Sequence, residues 1–385
     1  MFHDCAASRC AKMSAFSTQR ITRKLCGRVG TRRKVATLAG KVDALARHVG
    51  VVQLADGVYA GKSADLGWGR VYGGQTMAQA VAAAQATAGP NREMHQFSSH
   101  FLKGGDPSTD IRFETSLLSS GRSFSVIHVR ALQNDVAILC MTASFQTPEV
   151  GLEHQHPAGL RPEWGRPTDL KPLEAHMQAH IDKVPRKMVK LYSEGPLEIR
   201  PSKFVAPWDT SLHEPERAFW VRTRGAVADD AALHQRLLTC AHATQLQSTL
   251  VIHPLHRRLT RRPPPSPHRP TSCLAACVPA DVSDWGLLET SILPLPVAMW
   301  LPQMQAGSLS HSMHFHHPSR FRLDTEWLCH VMRSPVASGG RGFALGEVWT
   351  ESGLLVATTS QEGLVRMRSA SPSAQSERSD VERAP

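Results

Sequence analysis

A set of three short motifs occurs twice in this chain, and that repetition constrains the fold more than any other feature. Ser99-His100-Phe101 is followed by Gly121-Arg122-Ser123-Phe124-Ser125 and then by Thr142-Ala143-Ser144-Phe145-Gln146. Met313-His314-Phe315 is followed by Gly340-Arg341-Gly342-Phe343-Ala344 and then by Thr358-Thr359-Ser360-Gln361. Self-similarity over about a hundred residues per copy predicts two related domains in one chain. Duplication places the site where the halves meet and frees one half to lose its chemistry. A length of 385 residues accommodates two such domains with their connection.

Each copy reads as a helix followed by strands. Gly73-Gly74-Gln75 opens an alanine-rich helical run to Ala88, after a shorter helix at about 39–49. The two glycines leave N–H groups at the helix start that suit partial negative charge. Beyond Pro90 the period changes to two, with strands expected at about 95–102, 110–118, 123–133 and 136–147 and a turn at Gln133-Asn134-Asp135. Residues 151–195 read as a polar linker with a helix near 171–190. The second copy begins near Leu197, with a strand at Trp220–Thr223 and a helix from Asp229-Asp230 through Leu238. Residues 239–279 contain Arg261-Arg262-Pro263-Pro264-Pro265-Ser266-Pro267 and read as a disordered insertion. The helical pattern resumes at Asp281, and strands follow at about 307–316, 327–334, 341–350 and 354–365. The expected organisation is therefore a tail over 1–38, domains over 39–150 and 196–368, and a loose tail over 369–385. One helix wrapped by an antiparallel sheet, twice over, is an α+β architecture.

A net charge of +11 suggests nucleic acid until it is located. Residues 1–35 contribute +8 and residues 239–279 contribute +5, which leaves the rest of the chain at −2. The expected domains carry no basic excess, so nucleic-acid binding is set aside. The acid-poor N-terminus has the composition of a mitochondrial or plastid transit peptide, or of a disordered basic tail. The final residues, Glu382-Arg383-Ala384-Pro385, are not the Ser-Lys-Leu peroxisomal signal. No apolar stretch is long enough for a membrane-spanning helix. The eight cysteines are scattered without a CxxC, which fits reduced thiols.

Several familiar chemistries are missing or only imitated. Gly57 to Ser63 resembles a phosphate-binding loop but has one residue too few before Gly61-Lys62. There is no Gly-x-Ser-x-Gly nucleophile elbow. His314 and His316 share a strand face, but no carboxylate or cysteine pattern completes a metal site with them or His317.

The residues that remain resemble the acyl-CoA thioesterase II family. The resemblance is carried by Arg70-Val71-Tyr72-Gly73-Gly74-Gln75, by His100-Phe101-Leu102-Lys103-Gly104-Gly105-Asp106 and by Met141-Thr142-Ala143-Ser144-Phe145-Gln146. It continues in Pro196-Leu197-Glu198-Ile199-Arg200-Pro201, Val282-Ser283-Asp284, His311-Ser312-Met313 and Gln361-Glu362-Gly363. The resemblance implies a double hotdog fold and hydrolysis of medium- to long-chain fatty acyl-CoA to free acid and CoA. It also implies a homo-oligomer and no cofactor, since CoA belongs to the substrate. The family's catalytic residues are an Asp, a Thr or Ser, and a Gln from the second domain. Carried over, they are Asp284, Ser308 and Gln361. Counting straight on from His234-Gln235 would land on Ala243; removing 239–279 restores the family spacing and selects Asp284. Ser310 stands where an acid is common in the family.

This trio suits the reaction. Thioester hydrolysis needs a positioned water, a base and donors for the developing oxyanion. Asp284 can be the base or can hold the water by accepting from it, and Ser308 with Gln361 can fix that water in line with the carbonyl. Taken singly, Ser308 could equally be an ordinary strand serine sharing a face with Ser310 and Ser312. Arg122, Arg333 and Arg341 are candidate partners for CoA phosphate. Two other readings are a non-enzymatic acyl-CoA binder disabled by the insertion and a hotdog enoyl-CoA hydratase. The hydratase needs a His five residues after its Asp, where this chain has Glu289.

Overall fold

Seven alanines between Ala78 and Ala88 make the central helix of the first half slim, and every side chain from Gly74 to Ala84 is buried. A helix buried on all sides needs a partner that surrounds it, and an antiparallel sheet provides one. The computed structural model describes residues 38–64, 69–156, 159–242 and 284–368. The expected N-terminal and C-terminal tails lie outside the described residues, as does most of the insertion.

The first half runs α1 (Leu38–His48), β1 (Val52–Ala55), β2 (Val58–Gly61), α2 (Gly73–Ala88), β3 (Glu93–Phe101), β4 (Ile111–Ser120), β5 (Phe124–Gln133) and β6 (Val136–Gln146). After short 3-10 turns, α3 (Leu173–Gln178) and α4 (Arg186–Glu194) lead into the second half. That half runs β7 (Leu197–Pro201), β8 (Glu216–Thr223), α5 (Ala231–His242), α6 (Asp284–Thr290), β9 (Met304–Phe315), β10 (Leu328–Ser338), β11 (Arg341–Thr350) and β12 (Leu355–Met367).

Among the described residues twelve strands form one sheet in the order β1-β2-β4-β5-β6-β3-β9-β12-β11-β10-β8-β7. Read outward from the middle, the two halves give the same sequence of strands. The duplication seen in the motifs is therefore a duplication of topology. The halves join where β3 pairs antiparallel with β9, from Gln96↔His314 to His100↔Ser310. At the centre of that seam the hydroxyls of Ser98 and Ser312 are hydrogen-bonded at 2.8 Å. α2 packs on β2 to β6, α6 packs on β8 and β10 to β12, and α2 also packs on α5. A single apolar core contains residues of both halves, including Phe97, Phe113 and Met77 of the first and Met313, Leu288 and Phe315 of the second.

The linker and α5 both differ from the sequence expectation. The linker is structured: Trp164 packs with Trp220, Trp327 and Trp349 of the second half, and Ser202 Oγ donates to the Trp164 carbonyl at 2.6 Å. Helix α5 does not stop at Leu238 but continues through His242, with Thr239, Cys240 and Ala241 buried. The described residues stop at His242, so the remainder of the expected insertion, 243–279, lies outside them. The expected turn after Gln133 is present as a two-residue hairpin loop. Asn134 (φ 49) and Asp135 (φ 61) take the left-handed conformation that a type I′ turn requires.

Candidate active site

The register of β9 decides which of its serines matters. Ser310 pairs with Glu362 and Ser308 with Gly363, so Leu309 is an extra residue, a β-bulge. In an unbroken strand, residues 308 and 311 would face opposite sides. The bulge turns both to the helix side: Ser308 and His311 are buried, while Leu309 is exposed. Ser310 and Ser312 lie on the other, half-exposed face. The expectation that Ser308, Ser310 and Ser312 share one face is thus corrected, and Ser308 is set apart. The loss of the family's acid at Ser310 also falls on that outer face, away from Ser308.

The same irregularity recurs in the first half. β3 pairs Met94 with Phe145 and Gln96 with Ser144, leaving His95 as the extra residue. Superposing the two bulges sets Met94 against Ser308 and Phe97 against His311. Since Phe97 pairs with Ala143 and His311 with Gln361, Ala143 corresponds to Gln361. The first half therefore carries buried apolar side chains at every one of these positions.

In the second half the polar residues connect. Gln361, on β12, donates from Nε2 to Ser308 Oγ at 3.0 Å. Its Oε1 lies 2.9 Å from His311 Nδ1. Gln361 and His311 are each only 1% exposed. Burial pushes the His311 imidazole down to about 4, so the ring is neutral at physiological pH. Phe97 of the first half stacks on that ring at 6.1 Å, and Ser99 Oγ donates to the His311 carbonyl at 2.9 Å. In the sequence His311 stands out only as part of the His311-Ser312-Met313 motif. Its burial next to Gln361 follows from the bulge, which alternation of residue types does not reveal.

Asp284 is the first residue of α6, and only its backbone is described. The helix is tightly docked. A Cβ on Gly363 would meet Leu288 side-chain carbons at 2.7 Å, and one on Gly286 would meet the Met332 side chain. Gly363 is the cross-strand partner of Ser308. Asp284 lies four residues before Leu288, hence on the same face of α6 and about 6 Å along its axis. Glu289 fixes the helix further through a buried ion pair with Arg217 on β8. On the other side of the break, the Tyr72 hydroxyl donates to the Cys240 carbonyl, which ties the start of α2 to the last turn of α5. Gly74 sits in that contact; a Cβ there would meet the Cys240 carbonyl oxygen at 2.6 Å. Gln235 Nε2 donates to the Met94 carbonyl at 2.7 Å, again joining the halves.

The remaining candidates lie elsewhere. His316 Nε2 is hydrogen-bonded to Thr358 Oγ1 at 3.0 Å on an exposed strand end. Among the described residues no three His, Cys, Asp or Glu side chains gather as a metal site. Arg333 pairs with Glu347 at 2.7 Å and Arg341 with Glu362 at 2.9 Å, both on the surface. The phosphate-loop imitation is a hairpin: Gly57 (φ 66) makes its turn, and Lys62 pairs with Asp110. Among the described residues no helix is long and apolar enough to cross a membrane.

Two helix-and-sheet layers fused through β3 and β9 form a double hotdog fold, with the linked Ser308, Gln361 and His311 in the second half only. The family models for the acyl-CoA thioesterase N-terminal domain and C-terminal domain match residues 63–146 and 167–365. The chain belongs to the acyl-CoA thioesterase II family. It is 30% identical over 312 residues to acyl-CoA thioesterase 2 of Haemophilus influenzae, covering 81% of this chain and 93% of that protein. It is 28% identical over 313 residues to human acyl-coenzyme A thioesterase 8, covering 78% and 81%. Among solved structures, an acyl-CoA thioesterase II TesB2 from Mycobacterium marinum shares the fold with a TM-score of 0.59 at 24% identity, covering 85% of this chain and 99% of that one. A hot dog fold protein of unknown function from Alicyclobacillus acidocaldarius gives 0.56 at 15% identity, covering 85% and 99%.

Proposed function

We propose that this acyl-CoA thioesterase cleaves its thioester with a water held by Asp284, Ser308 and Gln361, and that its substrates are medium- to long-chain fatty acyl-CoA. The observation that carries the reading is the buried hydrogen bond from Gln361 to Ser308 on the face over which α6 is docked. Asp284 takes the proton of the attacking water, a role typically worth roughly 10²–10⁴ in rate. Ser308 and Gln361 orient that water in line with the carbonyl. The start of α2, held against the end of α5 by Tyr72, supplies backbone N–H groups for the oxyanion. One such donor is worth about 3–4 kcal/mol. The carbonyl carbon gains the water oxygen, the C–S bond breaks, and the CoA thiolate leaves and takes up the proton.

Glu289, paired with Arg217, stands where the hydratase reading needs a histidine. The family resemblance also leads us to propose a homo-oligomer, a point read by light scattering on the purified chain. The deciding experiment is CoA release from a series of acyl-CoA lengths by wild type and Asp284→Asn. Turnover should fall at least about a hundredfold in the variant. A fully active Asp284→Asn enzyme would exclude the water-activating role.

A further inference from the structure

We propose that Arg70 and Lys103 form a cationic edge to the mouth of this site and take up the phosphates of the CoA moiety. The proposal rests on the reading above that the thioester reacts beside Ser308. The seam between the halves is paired only as far as His100↔Ser310. Two residues beyond that point lie Ser308 in β9 and Leu102 in the extension of β3. Successive N–H groups of a strand point to opposite neighbours. Those of Leu102 and Lys103 instead both donate to the Ile138 carbonyl of β6, at 2.9 and 3.3 Å. The chain has thus rotated away from β9, and the seam opens at the level of Ser308.

Lys103 stands on this opening, with Arg70 beside it. The Val71 N–H donates to the Gly105 carbonyl at 2.9 Å, which fastens the approach to α2 onto the segment after Lys103. A Cβ on Gly104 would meet Arg70 Cδ at 3.0 Å and Nε at 3.3 Å, so the arginine stem lies against the backbone next to Lys103. Both side chains are exposed, and among the described residues neither has a carboxylate partner. Other cations of the first half are paired: Lys62 with Asp110, and Arg112 and Arg130 with Glu114. Arg333 and Arg341 are paired as well, and Arg122 lies at the other end of the sheet, where β3 begins. α2 adds to the field, because its first turn contains no acid and Tyr72 makes no side-chain cap there, which leaves the positive end of the helix dipole uncompensated. Two unpaired cations next to such a helix end repel one another, and a phosphate relieves that repulsion while accepting charge-assisted hydrogen bonds from both. An acyl-CoA brings phosphates to this mouth on the arm that leads away from its thioester.

Thiol release from octanoyl-CoA and from octanoyl-pantetheine, the same thioester without phosphate, tests this on the full chain. The preference for octanoyl-CoA, taken as the ratio of the two kcat/KM values, should fall about 10-fold or more in the double variant Arg70→Gln with Lys103→Gln, and the loss should reside in KM for octanoyl-CoA. Arg70→Lys and Lys103→Arg keep the charge and should hold that ratio within about threefold of wild type. Raising the salt from about 0.05 M to about 0.5 M should lower the wild-type ratio and move that of the double variant little, since salt screens exposed charge. An unchanged ratio in the double variant would overturn the proposal, whether both activities held or both fell together. Should the double variant fail to fold by circular dichroism, the single Gln variants and the salt dependence of wild type decide the question, and a wild-type ratio indifferent to salt would overturn it. Asp284→Asn keeps the two readings apart, because it should lower kcat on both substrates. If that variant stayed active while the preference still depended on Arg70 and Lys103, the catalytic reading would fall and the phosphate contact would stand.

Discussion

His311 shows how one side chain can link function to stability. In the unfolded chain its imidazole titrates near 6.5, and in the folded protein burial lowers it to about 4. Because the folded-state value is depressed, the stabilising contribution is present above the unfolded value. It is lost as pH falls from about 6.5 through 4, since the unfolded chain takes up the proton first. The shift corresponds to about 3 kcal/mol. Urea denaturation of wild type and His311→Asn at pH 7 and pH 4 measures it: the stability advantage of wild type should shrink by about 3 kcal/mol at the lower pH, and an unchanged difference would contradict the assignment. At this scale the sequence was half legible. Ser308 and Gln361 could be nominated from a motif, and the structure brings them together. The histidine two residues before Met313 gave no signal of its own, because its importance comes from a cross-strand partner fifty residues away.

A single inserted residue in β9 separates a site from a plain polar strand. Leu309 displaces the pattern by one position, so that Ser308 joins His311 on the buried face. Its own side chain points to solvent and serves no contact the site needs. Leu309→Ser should therefore leave kcat within about twofold and stability within about 0.5 kcal/mol. Deleting Leu309 should cost more than a hundredfold in CoA release, because a one-residue slip reverses the faces on one side of it. Equal activity in the deletion variant would show that the bulge does not set the site. The alternation Ser308, Ser310, Ser312 reads in the sequence as one face, and only strand pairing exposes the slip. Composition served better for the long elements: α2 and the strands β3 to β6 and β9 to β12 lie close to their expected bounds. The short β1–β2 hairpin and β7 were missed, since four or five residues at a sheet margin carry too little periodicity. Helix α5 outran its expected end because the proline cluster begins well after His242, and burial of Thr239 to Ala241 keeps the helix intact.

Across the whole molecule, the two halves cooperate without sharing the chemistry. The first half donates the Phe97 ring beside His311, the Ser99 hydroxyl on its carbonyl and the Tyr72 bond at the end of α5. Neither half has a closed core, because one sheet and one apolar cluster run through both. Separating them would expose the β3 and β9 edges and strip those supports from the polar residues. Such a molecule should unfold as one unit rather than as two domains in turn. Tryptophan placement makes this testable: seven of the eight tryptophans lie beyond residue 150, so fluorescence reports mainly on the second half, while far-UV circular dichroism reports on both. Urea transitions followed by the two signals should coincide in midpoint and steepness, and loss of CoA release should track them. A fluorescence transition displaced from the dichroism transition would mean that the second half holds its structure independently. The seam at Ser98 and Ser312 would then be a contact between finished domains rather than the middle of one sheet.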